Sequence, residues 1–257
     1  MKIAVCVKHV PEQARKIDPE TKRLDRSGEG AINPFDVHAV EEALKIKEAE
    51  GDGEVLVVTM GPAGAQDSIR KALAMGADEA LLITDDAAAG SDLVATTNAL
   101  GAALEQEGAD LVLFGQQAGD SDGAVLWAAV ADRLRLPVIS QVAELEVTDG
   151  KVRGKRQTEF GYDVIEAPIP AVLAVSDAIN EPRYPSLKGI MGARSKPQRT
   201  VTLSELGVDG GGVGESGSKT TVEALNDPPP RGDTVKIEDN GSGAERIVEF
   251  IVERKLI

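Results

Sequence analysis

Cysteine and histidine are scarce in this sequence of 257 residues. The single cysteine, Cys6, excludes an internal disulfide and any multi-cysteine zinc or iron–sulfur site within the chain. Two histidines, His9 and His38, leave little for a histidine-based metal or acid–base centre. If the protein takes part in redox chemistry, a bound cofactor must therefore carry the electrons.

Net positive charge and long apolar segments are absent as well. The chain has 28 Lys and Arg against 43 Asp and Glu, a formal charge of −15, which argues against nucleic-acid binding. No apolar run approaches the roughly 20 residues of a transmembrane helix, so we expect no membrane insertion. We see no targeting pattern before the first apolar run, Ile3–Val7. The expected location is the cytoplasm, or the mitochondrial matrix if the protein is eukaryotic.

The common catalytic motifs are missing too. The sequence contains no Walker loop, no G-x-G-x-x-G, no G-x-S-x-G elbow and no H-E-x-x-H. Cys6 lies inside an apolar strand, where a buried and inert thiol is the commoner state. The position of His9 favours a solvated loop, and that of His38 a structural role in a helix. We therefore predict no catalytic residue, no metal ligand and no enzymatic activity of the chain itself.

The first half of the chain alternates apolar strands with amphipathic helices. This cadence is typical of parallel βαβ units, so we predict an α/β fold with an open, mostly parallel twisted sheet and helices on both faces. In the first helix, Val40 and Leu44 face the core, whereas Glu41 and Glu42 lie on the other side. The predicted strands are Ile3–Val7, Glu54–Met60, Glu79–Thr84 and Asp110–Gly115. The first predicted helix begins at Asn33, its N-cap, and the later ones span Gln66–Met75, Ser91–Glu107 and Asp122–Leu134.

The second half departs from this cadence. Four short strands are predicted as antiparallel additions to the sheet: Val142–Val147, Lys151–Arg156, Asp163–Glu166 and Ala171–Val175. Residues 1–206 are expected to form one domain. Gly207–Lys219 has six glycines in thirteen residues and is predicted to be a flexible linker. Residues 220–257 would then form a C-terminal arm with a helix near Ala244–Lys255.

The segment Gly115–Gly123 follows the fourth predicted strand and is a candidate nucleotide loop. Its backbone N–H groups, together with the N-terminus of the next helix, can hold an anionic phosphate. Asp120 and Asp122 can accept hydrogen bonds from ribose hydroxyls. The two acids also fit a helix cap, and carboxylates beside a phosphate are unfavourable, so both roles stay open.

The loop 182–199 is basic within an acidic protein, which favours an acidic surface or an anionic cofactor as its partner. Leu187 and Met191 lie inside it and are either exposed docking anchors or folded inward. The basic residues of the loop, which contains no acid, are Arg183, Lys188, Arg194, Lys196 and Arg199.

Several motifs resemble the β subunit of electron transfer flavoproteins. The most specific is Asn180–Tyr184 (NEPRY), and the family is also matched by Asn33–Phe35, Ala72–Asp78 and Gly115–Ala118. These matches keep one order along essentially the whole chain. Further matching positions are Val5–Lys8, Ala39–Leu44, Gly61, Pro62, Asp120, Asp122, Leu187, Ile190, Met191, Lys196 and Asp227–Pro229.

The resemblance implies a fold similar to the adenine-nucleotide α-hydrolases and an αβ heterodimer. The companion α subunit would hold most of a redox FAD. This chain would bind AMP, or a second FAD as in electron-bifurcating members. The complex would carry electrons from flavin dehydrogenases to a downstream quinone-reducing oxidoreductase or another acceptor. The loop 182–199 would recognise the dehydrogenase, and the C-terminal arm would embrace the α subunit.

The resemblance also assigns site residues, position by position. Gln13 and Phe35 would lie near the flavin of the α subunit. The residues implied to recognise the partner are Arg183, Tyr184, Leu187, Lys188, Ile190 and Met191. The residues implied to contact the nucleotide are Cys6, Asn33, Pro34, Phe35, Asp36, Met60, Gly115, Gln116, Gln117, Ala118, Gly119, Asp120, Ser121, Asp122, Gly123, Ala124, Val125 and Leu126.

The sequence departs from the family pattern at three places. Gly123–Leu126 lacks the hydroxyl groups that other members carry at the helix start, which leaves backbone N–H groups to hold a phosphate. Glu159–Gly161 replaces an acidic–Gly–Gly motif, so the local turn is expected to differ. Gln13 stands where some members have an aromatic residue near the flavin.

Two other classes of function stay open. An adenine-nucleotide sensor of the universal stress type would share the sheet but would lack the loop 180–199 and the C-terminal arm. An adenylating enzyme of the ATP-pyrophosphatase type would place a Ser-Gly-Gly phosphate loop after the first strand. Here that position reads Lys8-His9-Val10-Pro11, so this class ranks lowest.

Overall fold

The structure is a computed structural model that describes residues 1–12, 16–26, 28–230 and 236–257. The chain forms two units, Met1–Val222 and Glu223–Ile257. The strands are β1 Lys2–Cys6, β2 His9–Pro11, β3 Gly30–Ile32, β4 Glu54–Met60, β5 Glu79–Ile83, β6 Leu111–Gly115, β7 Val138–Thr148, β8 Lys151–Thr158, β9 Gly161–Pro168, β10 Ala171–Val175 and β11 Gln198–Val201. The helices are α1 Pro34–Glu50, α2 Gln66–Met75, α3 Leu93–Glu107, α4 Leu126–Leu134, α5 Leu187–Gly192, α6 Gly214–Gly217 and, in the second unit, α7 Gly243–Glu253.

Nine strands form one sheet in the order β11-β5-β4-β1-β6-β10-β7-β8-β9. Pairing is parallel from β11 to β7 and antiparallel across β8 and β9. Alternate residues of β1 enter two cores: Ile3 and Val5 pack with α1 and α2, and Ala4 and Cys6 pack with α3 and α4. The predicted α/β fold with helices on both faces is therefore confirmed.

Several predicted elements need correction. Ala171–Val175, expected as an antiparallel addition, is β10, which pairs parallel with both β6 and β7. Its five residues are all buried, as expected for a central strand covered on both faces. Helix α4 begins at Leu126 rather than Asp122, and α3 begins at Leu93 with Asp92 as its N-cap.

The segment 207–219 is not the flexible linker that its glycines suggested. It contains α6, and the side chain of Val213 is fully buried in the core beside α3. The Asn98 side chain of α3 also donates a hydrogen bond to the Gly212 carbonyl, at 2.9 Å. Two of the glycines permit close backbone packing, since a Cβ would lie 2.2 Å from the Ala87 carbonyl oxygen at Gly214 and 2.2 Å from the Gly212 carbonyl carbon at Gly217. Composition alone does not distinguish such packing from flexibility.

Candidate functional site

The order in which strands are added to the sheet switches sides between β1 and β6, which pair parallel. From β1 the chain continues through α1 to β4 and then β5 on one side, whereas β6 pairs on the other side and leads toward β10. Ligands of open α/β sheets bind at the carboxyl ends of the strands where the order reverses in this way. The predicted nucleotide residues from Cys6, α1 and Gly115 all meet at this point.

Close backbone packing at Gly115 forms the floor of this crevice. A Cβ atom at this position would lie 2.5 Å from Asp36 Oδ1, 2.6 Å from the Phe35 carbonyl carbon and 2.8 Å from the Asp36 backbone nitrogen. The end of β6 therefore contacts the first turn of α1 directly, and only glycine fits there.

Asn33 connects α1 to the loop that follows β6. Its side chain is buried, donates to the Gln117 carbonyl at 2.9 Å and accepts from the Gly119 backbone N–H at 3.0 Å. Asn33 occupies the N-cap position of α1, but its side chain makes no capping bond. The predicted side-chain cap is therefore wrong, because the amide holds the loop instead.

Asp120 is held by two cations. Its carboxylate is 2 % exposed and accepts hydrogen bonds from Lys8 Nζ, at 2.8 Å, and from Arg26. Burial acts to raise the pKa of Asp120, but the hydrogen bonds and charges of Lys8 and Arg26 outweigh it and keep the pKa below its ordinary value. The carboxylate therefore stays ionised, but the two cations balance its charge, so it does not repel a phosphate nearby.

The N-terminus of α4 presents a row of backbone donors. The five backbone N–H groups from Gly123 to Trp127 form no hydrogen bond with the part of the chain that the structure describes. The N-cap of α4 is Val125, whose side chain has no polar atom, so the alternative that Asp120 or Asp122 caps this helix is wrong. Positive φ angles at Asp122 and Ala124 turn the backbone just before the helix. Such a row of N–H groups is suited to an anion.

The other predicted nucleotide residues lie around this row. Cys6 is buried at the end of β1, and burial raises the pKa of its thiol, which supports an inert role. Met60 ends β4 and, like Phe35 in α1, is half-buried. Gln116 accepts a hydrogen bond from the Trp127 indole at 3.1 Å. Gln13 lies outside the described residues, so the structure does not place it.

His9 and His38 are both bonded to other parts of the chain. His9 Nδ1 lies 2.8 Å from Ser68 Oγ, and burial lowers the pKa of His9. His38 Nδ1 lies 3.1 Å from the Asn180 carbonyl. His9 is thus less free than the solvated loop residue that its sequence position suggested.

The buried carboxylate of Asp36 links the stability of the chain to pH. This carboxylate accepts the Lys8 backbone N–H at 2.7 Å, and burial raises its pKa from 3.8 to about 7. Because the folded chain holds this proton more tightly than the unfolded chain, the contribution of Asp36 to stability is present below about pH 4 and is lost as the pH rises through 7.

The variant Asp36→Asn should remove this dependence. The free energy of unfolding of the variant, relative to the unsubstituted chain, is expected to rise from pH 5 to pH 7 by up to about 1.4 kcal/mol per pH unit. Urea unfolding followed by circular dichroism measures it. A difference that stays constant over this range would contradict the assignment.

A second candidate site is formed by α5 and the residues just before it. Four apolar or aromatic side chains project from it and from the residues just before it. They are Tyr184, Leu187, Ile190 and Met191, with exposed fractions of 94 %, 74 %, 55 % and 74 %. Of the two alternatives for Leu187 and Met191, the outward one is therefore confirmed. An apolar patch of this kind on an otherwise acidic chain is typical of a docking surface.

The comparisons with known proteins extend over both groups of residues. The model of the electron transfer flavoprotein domain matches residues 21–206. The chain belongs to the electron transfer flavoprotein family. The family match includes α1, the loop after β6 and the whole of α5.

Individual members of the electron transfer flavoprotein family align over nearly the full chain. The chain is 40% identical to the electron transfer flavoprotein subunit beta of Mycobacterium tuberculosis (strain H37Rv), over 99% of both chains. It is 37% identical to the subunit of the same name from Megasphaera elsdenii, over 100% of both. It is 41% identical to the caffeyl-CoA reductase-Etf complex subunit CarD of Acetobacterium woodii, over 90% of both.

Sequence reasoning missed the cations of this site. Lys8 and Arg26, which hold Asp120, lie 112 and 94 residues away from it along the chain, so no local pattern pairs them with it.

Within the described residues, no helix is long and apolar enough to cross a membrane, and no cluster of three or more His, Cys, Asp or Glu is arranged to hold a metal ion.

Proposed function

We propose that this chain is the β subunit of a heterodimeric electron transfer flavoprotein. It would carry electrons, together with an α subunit that holds most of an FAD, from flavin dehydrogenases to a quinone-reducing oxidoreductase or another acceptor. The flavin, when bound, supplies the one- and two-electron chemistry that no side chain of this polypeptide offers. The identity to β subunits over nearly the full length supports this assignment.

We propose AMP as the ligand of this chain, in the crevice between β1 and β6. The observation that carries this part is the row of N–H groups from Gly123 to Trp127, which form no hydrogen bond within the described residues. An anionic phosphate fits that row, because the positive end of α4 favours negative charge and needs no hydroxyl side chain. Asn33 and Asp120 hold the loop in place through their contacts with Gly119 and Lys8.

The chain itself would take no part in bond making. Its residues would bind the nucleotide, support the flavin domain of the α subunit and present α5 to the dehydrogenase. The C-terminal residues 220–257 are proposed to pack on the α subunit. A soluble location in the cytoplasm, or in the matrix of a mitochondrion, follows from the same proposal.

Co-expression with an α-type subunit tests this function. We expect a yellow heterodimer that releases one FAD and one AMP on denaturation, quantified by chromatography. Release of two FAD and no AMP would show that this chain binds a second flavin instead of AMP, and would indicate an electron-bifurcating member. A colourless, stable monomer that binds ATP would contradict the proposal and favour the universal stress type of sensor.

A further inference from the structure

Arg183 precedes α5 and is bonded to its own chain on every side. Its Nε donates to Glu41 Oε2 at 2.8 Å, and its Nη2 donates to Glu41 Oε1 at 3.0 Å. Nη1 and Nη2 also donate to the two oxygens of Glu48, at 2.5 and 3.0 Å. The Arg183 backbone N–H donates to Glu41 as well, at 3.0 Å. This set of contacts, the Arg183 clamp, leaves the guanidinium group little capacity for another protein.

The Arg183 clamp fixes the chain to one face of α1. Glu41 and Glu42, which the sequence pattern placed toward solvent, are each only 5 % exposed because residues 180–183 cover them. Asn180 strengthens the attachment by donating to Glu42 at 2.9 Å and to the His38 carbonyl at 3.1 Å. Helix α5 begins only four residues beyond the clamp, at Leu187.

The other end of the segment is fixed to α2. Lys196 Nζ donates to the carbonyls of Leu73, at 2.9 Å, and Ala77, and thereby satisfies acceptors at the C-terminus of that helix. Between the two ends, α5 lies against the α2 backbone. A Cβ atom at Gly189 would come within 2.3 Å of the Ala74 carbonyl oxygen.

The charges of the loop 182–199 are thus mostly used inside the chain. Arg183 and Lys196 hold the two ends, and Arg199 pairs with Glu107 at 2.8 Å. Of the five basic residues, Lys188 and Arg194 alone are both exposed and without an ion pair within the described residues. The basic character of the loop is therefore a poor measure of the charge that it shows to a partner.

We propose that Arg183 and Lys196 are positioning residues, which hold α5 so that its exposed apolar side chains meet the dehydrogenase in a preformed arrangement. This inference rests on the proposed function. A surface that is ordered before association loses less conformational entropy on binding, so the clamp acts on affinity for the partner. It differs from the reading in which Arg183 contacts the partner directly.

The variant Glu48→Ala separates the two roles. The side chain of Glu48 is 57 % exposed, so its removal should not prevent folding. If the clamp positions α5, the KM of the heterodimer as acceptor for a reduced dehydrogenase rises about three- to tenfold, while the maximal rate and flavin content stay unchanged. If Arg183 contacts the partner, Glu48→Ala frees the guanidinium group, and the KM stays the same or falls. Arg183→Lys should behave like Glu48→Ala under the first role, because the charge remains but the planar fork is lost.

Hydrogen–deuterium exchange of residues 187–192 gives a readout that needs no dehydrogenase. We expect faster exchange in Glu48→Ala than in the unsubstituted heterodimer. The control Arg70→Gln, which removes the exposed Arg70–Asp67 pair of α2, should change neither exchange nor KM. A heterodimer that no dehydrogenase reduces would overturn the proposed function. Normal reduction with unchanged KM and exchange in Glu48→Ala would overturn the positioning role alone.

Discussion

Gly115→Ala should strip the heterodimer of its nucleotide and lower its thermal stability by several degrees. The added Cβ would lie 2.6 Å from the Phe35 carbonyl carbon and 2.8 Å from the Asp36 backbone nitrogen. Both are backbone atoms of a buried helix start and have little room to move, so β6 and α1 must separate. That separation would disturb the crevice where the proposed nucleotide lies.

The affinity of Gly115→Ala for AMP is expected to fall at least tenfold. Titration of AMP into the nucleotide-free heterodimer measures it. The matched control is Gly210→Ala, since a Cβ at Gly210 meets nothing within 4 Å and its φ is not positive. Its affinity should stay within about twofold of the unsubstituted complex. Equal affinities for the two variants would contradict the placement of the nucleotide beside Gly115.

Leu187→Ala should reduce electron acceptance from a dehydrogenase at least tenfold when the dehydrogenase is below saturation. Leu187 begins α5, is 74 % exposed and lies in the patch with Tyr184, Ile190 and Met191, as expected for a surface that a partner covers. If α5 docks as proposed, truncation to alanine would remove the anchor and would leave an apolar pocket of the dehydrogenase unfilled. Flavin and AMP content should not change, because Leu187 lies in a part of the chain separate from the β1–β6 crevice.

Anaerobic reduction followed by flavin absorbance measures this effect. Leu187→Met is the control, since methionine keeps the apolar volume and should stay within about twofold of the unsubstituted complex. Unchanged acceptance by Leu187→Ala would refute the docking role of α5. A simultaneous loss of flavin would contradict the expectation that Leu187 acts on docking alone.

The fold was predictable from the sequence where the local pattern is unambiguous. The β-branched runs of β1 and β4 are buried on both faces, and the spacing between them requires a crossover helix. The pairing direction of β10 was predicted wrongly, as antiparallel instead of parallel. The length of Ala171–Val175 fits either kind of pairing, and only the neighbouring strands decide which one it adopts.

The candidate site was predictable in its location but not in its internal contacts. The glycine-rich loop after β6 marks the carboxyl end of a strand, and a parallel sheet makes that end a binding edge. The roles of Asp120 and Glu41 depend on Lys8, Arg26 and Arg183, which are distant in sequence. Charge alone predicted solvent for Glu41 and a ribose or cap for Asp120, because a partner brought in by tertiary structure leaves no periodic signal.

The most direct measurement is the number of electrons that the chain accepts from a reduced flavin dehydrogenase, alone and together with its α subunit. Alone, the purified chain should remain colourless and accept none. The heterodimer should accept electrons in proportion to its bound flavin. Electron uptake by the colourless chain in the absence of an α subunit would show that its own side chains handle electrons, contrary to everything inferred from its single buried cysteine.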